Sequence, residues 1–371
     1  MIFLFMIGGP SQYDTFDYKP RLNADDGKAS RESKKQFVGS PWKFSRHGGG
    51  GLWISDLFPH VAGQADQLCM LHGMHTDDPC HSGATLQLHT GSFQFVRPSL
   101  GAWTLYGLGT ENQNLPGFIT IAPRLQTGGT QCYGSAFLPA ITQGTRIGDS
   151  KHPIAQADFK NLANPRLSVA AQREQLDLIQ SLNRDRLAGA EGDAELEGVI
   201  QSYELAFRMQ SELPRVMDLA GESRATLEAY GVGDGRPTDN FGRQCLLARR
   251  FVESGVRFVE VCHEFWDHHT GLKQGLAKEC LATDQPIAAL LADLKQRNLL
   301  DETLVVWGGE FGRTPHNDKA NGRGHNPKAY TMWLAGGGVK GGMAHGATDE
   351  LGYEAVEGRV HLHDLHATIL H

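Results

Sequence analysis

Six short apolar runs, each bounded by turn residues, constrain the fold of this 371-residue chain more than any other feature. Segments with apolar residues at helical spacing lie between several of the runs. Near-continuous apolar strands that alternate with helices are typical of a mainly parallel sheet covered on both faces. We therefore predict an α/β fold with a mainly parallel central sheet sandwiched by helices. The six runs are residues 3–7, 67–74, 117–122, 256–261, 303–309 and 329–337.

The stretch 165–255 differs from the rest, because its apolar residues recur at helical spacing among many charges. We predict that it is a helical insertion within a single α/β domain spanning residues 1–371. At roughly 150 residues per domain the length also allows two or three domains, but large α/β enzymes often fold as one unit. The chain starts directly in an apolar run and stops inside an apolar-periodic segment, so we expect truncation at one or both ends.

Charge and composition disfavour several classes of protein. The formal net charge is −7 and no block of Lys and Arg occurs, which argues against a nucleic-acid-binding surface. No stretch approaches the roughly 18 consecutive apolar residues of a membrane span, and the first run is too short for a signal peptide. The six cysteines form no C-x-x-C pair, whereas the 17 histidines favour a metal site.

Carboxylate and imidazole side chains follow the predicted strand at 256–261. Asp267, His268 and His269 are adjacent in the sequence. In an extended segment Asp267 and His269 point to the same side, so both can bind one ion. Oxygen and nitrogen donors together suit zinc, iron or manganese better than calcium. The alternative is a surface turn with incidental histidines.

A second group of reactive side chains follows the predicted strand at 303–309. This strand delivers Glu310 and Arg313 into a loop, and His325 comes soon after. Open α/β sheets expose reactive groups at the carboxyl ends of their strands. Glu310 supplies an anionic ligand, and the Arg313 guanidinium can grip a sulfate or phosphate in a fork. A structural ion pair between Glu310 and Arg313 is the alternative.

Two more strand ends carry candidate groups. Two glycines after the first run allow a tight turn that brings Asp14 just beyond the strand, as a metal ligand or as a polar turn residue. Ser82 lies after the second run, at the start of a predicted helix. A hydroxyl there meets unsatisfied N–H groups and the positive end of the helix dipole, so Ser82 is a candidate nucleophile. Capping of the helix is the alternative role for Ser82.

Several motifs in order carry a resemblance to a known family. From end to end, through GGPS…DTFD, WD-x-H, EFGRTP, AGGGVKGG and HGATDE, the chain resembles the large bacterial sulfatase-like family called domain of unknown function 1501. The resemblance implies membership of the alkaline phosphatase-like superfamily, whose members hold one or two metal ions at strand carboxyl ends and hydrolyse phosphate or sulfate esters. It also implies an exported, periplasmic or otherwise extracytoplasmic protein that acts on a small-molecule or polysaccharide ester.

The chain departs from the family and superfamily patterns at four places, one of which is Gln12, where the family commonly has His. Glu310-Phe311 stands where an Asp-His pair is expected, which keeps the carboxylate and loses the imidazole. Gly324 precedes His325 where the family often has Asp. The sulfatase signature is absent, because CHSGAT contains no arginine, so formylglycine chemistry is not expected.

We therefore expect metal-dependent hydrolysis of a sulfate or phosphate ester, with Ser82 or a water as the attacking group and Arg313 neutralising developing charge. The cofactor is expected to be a divalent ion, zinc, manganese or calcium, in one or two sites. A degenerate metal-binding protein that binds anionic polysaccharide or a cell-surface partner is the alternative, and hydrolysis of an amide or carboxylic ester is a third. The expected metal ligands are Asp14, Asp267, His269, Glu310 and His325.

Overall fold

The computed structural model describes residues 1–32, 34–157, 162, 164–188, 194–233 and 235–371. Its centre is a nine-stranded sheet. The strands of this sheet and of three two-stranded sheets are, in chain order, β1 (Ile2–Met6), β2 (Phe44–His47), β3 (Leu52–Ser55), β4 (Leu68–His75), β5 (Phe118–Ile121), β6 (Thr145–Ile147), β7 (Phe258–His263), β8 (Val305–Gly308), β9 (Gly312–Asn317), β10 (Arg323–Asn326), β11 (Tyr330–Ala335), β12 (Met343–His345), β13 (Ala347–Thr348), β14 (Ala355–Glu357) and β15 (Val360–His361).

The main sheet has the strand order β12-β4-β11-β8-β1-β7-β5-β6, and β15 also pairs with β4. Every pairing in this sheet is parallel except the two that β11 makes. The chain returns from β8 to β11 through the β9–β10 hairpin without a helix, and a parallel return would need a longer crossover. The six apolar runs correspond to β1, β4, β5, β7, β8 and β11, so the prediction of a mainly parallel sheet is confirmed.

Helices cover both faces of the sheet. Alternate residues of β1 point to opposite faces, so that Leu4 lies in one core with Phe251 and Phe5 lies in a second core with Leu88. Burying one such side chain contributes about 1.5–3 kcal/mol. The helices are α1 (Gln12–Thr15), α2 (Pro20–Ala24), α3 (Pro59–Ala62), α4 (His81–Thr90), α5 (Leu100–Leu108), α6 (Val169–Ala188), α7 (Ala194–Met217), α8 (Arg224–Ala229), α9 (Asp239–Glu253), α10 (Leu272–Gln296) and α11 (Leu362–Leu370).

The stretch 165–255 contains α6 to α9, apart from residues 189–193 and 234, which lie outside the described residues. α6 and α7 pack on each other, and the Arg173 guanidinium of α6 donates to the Glu204 carboxylate of α7 at 2.9 Å. α9 instead packs directly on the sheet, where Phe251 is fully buried. Among the described helices, none is both long enough and apolar enough to cross a membrane.

The strand directions decide where reactive side chains meet. Because β1, β4, β7 and β8 are parallel, their carboxyl ends lie at one edge of the sheet. The β9–β10 hairpin leaves β8 at the same edge and pairs His325 with Arg313. Side chains that are far apart in the sequence therefore converge at this edge.

Candidate metal centre

Four side chains with metal-binding atoms converge at the carboxyl edge. His81, Asp267, His269 and His325 each offer one ligand atom, and these atoms lie within 4.8 Å of one another. The first is the first residue of α4, the next two follow β7, and the last lies in β10. The Asp267 carboxylate is central, because it lies 3.2 Å from His81 Nε2, 3.0 Å from His269 Nε2 and 3.4 Å from His325 Nε2.

The three imidazole rings are oriented in the same way. Each Nδ1 lies within hydrogen-bonding distance of an acceptor oxygen, so Nδ1 donates there and Nε2 is the nitrogen left to face the centre. The three Nε2 atoms face the centre, and two of them, in His269 and His325, are 2.9 Å apart. The acceptors are Glu310 Oε1 for His81 at 2.6 Å, Asp318 Oδ2 for His269 at 2.7 Å, and the Pro79 carbonyl for His325 at 2.7 Å.

Converging lone pairs repel one another unless a cation or a proton lies between them. In metal sites, a histidine ligand typically donates its other ring N–H to a carboxylate or a carbonyl, as these three do. The donor set and its surroundings therefore fit a metal ion.

The charges around the centre shift two pKa values strongly. Burial alone would raise the pKa of Asp267, but hydrogen bonds from His325, His81 and Arg313 outweigh it and hold the pKa far below its usual range. Burial alone would lower the pKa of the His81 imidazole, but hydrogen bonds to Asp267 and Glu310 outweigh it and raise the pKa to about 9. An ion that binds His81 must therefore displace a proton at neutral pH.

The structure brings together three of the five expected ligands, Asp267, His269 and His325. Glu310 is fully buried and lies behind His81, where its carboxylate accepts from His81 Nδ1 and from the Gly8 N–H at 3.0 Å. Within the described residues Glu310 is thus a partner of a cluster member and is not itself in the cluster.

Asp14 is also separate from the four clustered residues. Its carboxylate accepts from the Arg323 guanidinium at 2.9 Å and from the Ser11 hydroxyl at 2.6 Å. Asp14 and Arg323 are both fully buried. The oxygens that were expected to bind a metal therefore neutralise an arginine.

Arg313 lies beneath the centre, with 1 % of its side chain exposed. Its Nη2 atom donates to Asp267 Oδ1 at 2.6 Å. The rest of the guanidinium donates to backbone carbonyls, including that of Gly9 at 2.9 Å. In this conformation Arg313 acts on Asp267 and does not present a fork to an outside anion.

Ser82 is exposed as the second residue of α4. The residue at the cap position is Cys80, so Ser82 does not cap the helix. The hydroxyl of Ser82 makes no hydrogen bond within the part of the chain that the structure describes. It is therefore free for other contacts beside His81.

His81 belongs to the cluster but is not among the site residues predicted from the sequence. It is one of several polar residues that follow the second apolar run, and a hydroxyl at a helix start makes Ser82 the stronger candidate for a nucleophile. The signal for His81 is that it follows a strand end, as the other three clustered residues also follow β7 or β8.

Taken together, these features define an α/β protein with a mainly parallel sheet and a candidate metal centre at the carboxyl ends of its strands. The chain belongs to the family described as Protein of unknown function (DUF1501), whose model matches residues 1–371. The resemblance of its motifs to that family is thus confirmed. A search of curated proteins gave no significant match.

Comparison with solved structures returned phosphatase, sulfatase and phosphonate hydrolase structures to which this chain is similar at low sequence identity. Alkaline phosphatase from the Antarctic bacterium TAB5 is similar at 8% identity and a TM-score of 0.36, covering 92% of this chain and 93% of its own. PsFucS1 sulfatase from Pseudoalteromonas sp. has 12% identity and a TM-score of 0.39, covering 94% and 64%. The phosphonate monoester hydrolase SpPMH from Silicibacter pomeroyi has 10% identity and a TM-score of 0.38, covering 84% and 67%.

Proposed function

We propose that this protein is a metal-dependent hydrolase of sulfate or phosphate esters. The ion is held by Asp267, His269 and His325, with His81 as a fourth donor. The observation that carries the proposal is the shared orientation of the three imidazoles, each anchored through Nδ1 with Nε2 facing Asp267. Such anchoring fixes the orientation of each imidazole before the metal binds, so that Nε2 is in position to act as a ligand.

The donor set favours zinc or manganese over calcium. Three imidazole nitrogens and one carboxylate oxygen suit zinc and other transition metals, whereas calcium takes six to eight oxygen ligands. Of the three ions expected from the sequence, calcium is therefore the one that these side chains serve least well.

The side chains around the centre have distinct roles in this proposal. A bound divalent ion would supply Lewis-acid polarisation of the ester and would lower the pKa of a bound water to about 7. Ser82 or a water is the attacking group, and the N-terminal end of α4 favours negative charge near Ser82. Arg313 holds Asp267 in place and adds positive charge through that contact.

The proposal also includes the wider biology that the family resemblance implies. We place the protein outside the cytoplasm, as a single α/β domain acting on a small-molecule or polysaccharide ester. Detection of the protein in separated cell fractions tests its location independently of its chemistry.

A second candidate function is binding without catalysis, and one observation favours it. All four donors belong to the protein, and sites with four protein ligands are usually structural, whereas catalytic zinc keeps a position open. If His81 always ligates, the ion is closed to substrate. The protein would then present a stable ion-held surface to an anionic polysaccharide or a cell-surface partner.

Turnover measurements distinguish these functions. The purified protein is stripped with a chelator, reloaded with zinc, manganese or calcium, and assayed with aryl sulfate, aryl phosphate and aryl acetate. We expect turnover of the sulfate or phosphate only with zinc or manganese. His269→Ala should lose more than the roughly 10–100-fold typical of an outer residue. His152→Ala, which changes an exposed histidine paired with Asp149, is the matched control.

Each other outcome has a definite meaning. Turnover of the acetate alone would assign the protein to amide or carboxylic ester hydrolysis. Bound ion with no turnover would assign it to the binding function. Absence of bound ion, or an active His269→Ala variant, would contradict the proposed metal centre itself.

A further inference from the structure

Two buried arginines reach the carboxyl edge of the sheet from the β9–β10 hairpin, and each meets one carboxylate there. Arg313 in β9 contacts Asp267, and Arg323 in β10 contacts Asp14. Both side chains are at most 1 % exposed. A buried charge is costly unless it is paired, so these cations are permanent parts of the edge.

The Arg313 guanidinium fills a cradle of oxygen atoms. Carbonyl and carboxylate oxygens that converge from several segments are the surroundings that a cation requires, and here the cation is supplied by the chain itself. The cradle consists of the Asp267 carboxylate at 2.6 Å and the carbonyls of Gly8, Gly9 at 2.9 Å, Arg323 at 3.1 Å and Trp266 at 3.4 Å.

The cradle requires glycine after β1. Gly8 and Gly9 adopt φ of +117° and +74°, which side-chain-bearing residues rarely adopt. A Cβ atom at Gly8 would lie 2.7 Å from the Asp267 nitrogen, and one at Gly9 would lie 2.8 Å from the Phe311 ring. The two glycines therefore let this loop approach close enough for its carbonyls to surround the guanidinium.

Arg323 has a parallel effect on the neighbouring carboxylate. Asp14 accepts two contacts from this guanidinium, at 2.9 and 3.3 Å, and a third from the Ser11 hydroxyl. Its negative charge is cancelled within the protein. Asp14 is therefore not available to balance a second metal ion.

The net charge of the centre limits the number of divalent ions that it can bind. Asp267, Glu310 and Asp318 are opposed by Arg313 and Lys35, which leaves one net negative charge when the imidazoles are neutral. One divalent ion reverses that sign, and a second would add two positive charges that none of the carboxylates in these contacts offsets. We infer that Arg313 is a built-in cation standing beside the ion, and that the centre takes one divalent ion per chain.

This inference rests on the proposed function and gives Arg313 a definite part in it. With one ion bound, the centre carries net positive charge, which attracts an anionic sulfate or phosphate ester. Arg313 contributes to that charge through Asp267 and does not touch the substrate. It is a positioning residue.

Ion stoichiometry tests the inference without any substrate. The chelator-stripped protein is titrated with zinc chloride by calorimetry, and the bound zinc is counted by elemental analysis after gel filtration. The same titration of the His269→Ala/His325→Ala double variant measures zinc on surface histidines, and this is subtracted. We expect a difference of one ion per chain. A difference of two would overturn the inference, and a difference of zero would instead contradict the proposed function.

Two substitutions of Arg313 show whether its charge matters. Arg313→Lys keeps the positive charge, whereas Arg313→Met removes it at similar length. Because the guanidinium competes with the ion for Asp267 Oδ1, we expect Arg313→Met to bind zinc about tenfold or more tightly than Arg313→Lys, at unchanged pH. Equal or weaker binding by Arg313→Met would mean that Arg313 only supports the shape of the site, and would overturn the built-in cation.

Discussion

Helix α4 carries two histidines that each meet a glutamate, and the two pairs differ in a way that explains which of them can bind a ligand. His89, near the end of the helix, donates through Nδ1 to the Thr85 carbonyl at 2.7 Å and through Nε2 to Glu260 at 2.5 Å. Its partner Glu260 is 2 % exposed, and the Phe5 ring packs on the imidazole in an edge-to-face arrangement with the ring centroids 4.7 Å apart. Both ring nitrogens are therefore used inside the protein.

His81, at the start of the same helix, has only one nitrogen paired with a buried carboxylate. Nδ1 is fixed by Glu310, and Nε2 faces Asp267 at an edge where 26% of the His81 side chain is exposed. The same pair of residue types thus forms a sealed ion pair at one end and a candidate metal-binding group at the other. The difference lies in whether the second nitrogen has a buried acceptor of its own.

The largest expected effect is on the sealed pair. Glu260→Ala leaves His89 as an uncompensated buried charge, so we expect the free energy of unfolding to fall by about 3–5 kcal/mol. Urea unfolding measures the loss, with Glu174→Ala on the exposed surface of α6 as the control. Zinc stoichiometry should stay the same in Glu260→Ala. A loss of bound zinc in a folded Glu260→Ala protein would erase the distinction between the two pairs.

Substitutions that remove the carboxylates anchoring the clustered histidines should change ion affinity more than stability. Glu310→Gln removes the charge that fixes His81, and Asp318→Asn does the same for His269. We expect each to weaken zinc binding by about 10–100-fold, as the loss of an outer carboxylate does in other metal sites. Calorimetric titration provides the measurement, and Glu302→Gln, an exposed carboxylate elsewhere, is the control. Unchanged affinity in both variants would show that the histidines need no anchoring.

The smallest expected effect is the pH dependence of the sealed pair. Burial alone would lower the pKa of His89, but Cys132 and Glu260 outweigh it and raise the pKa well above its usual value. The stabilisation is therefore complete below the unfolded value of roughly 6.5 and is lost as pH rises through the folded pKa. Urea unfolding of the metal-free protein should show this alkaline loss, and His89→Gln should reduce it. An identical pH profile for His89→Gln would contradict the assignment.

Much of the fold follows from local sequence patterns. All six apolar runs form strands of the main sheet, because short runs bounded by turn residues bury both faces of a strand with little dependence on distant sequence. Asp267, His269 and His325 could be expected to meet because they follow β7 and β8, which are parallel. This expectation follows from the direction of the strands and does not require knowledge of individual side-chain contacts.

The partners of individual side chains depend on contacts that no local pattern encodes. Asp14 was expected to bind metal, but Arg323 is brought to it from a hairpin more than 300 residues later in the chain. Glu310 was expected to bind metal as well, but His81 lies between it and the other donors. Acidic residues at strand ends look alike in the sequence, and only their neighbours in space distinguish a ligand from a supporting carboxylate.

The amino-acid sequence alone therefore determined the class of sheet, its strands and the edge where polar groups collect, because burial and chain turning act over a few residues. Tertiary structure decided which nitrogen faces the centre, which carboxylates are neutralised by arginine, and that His81 belongs to the cluster. Those outcomes depend on atoms approaching within about 3 Å from distant segments, a distance that hydrogen bonds and ion pairs require.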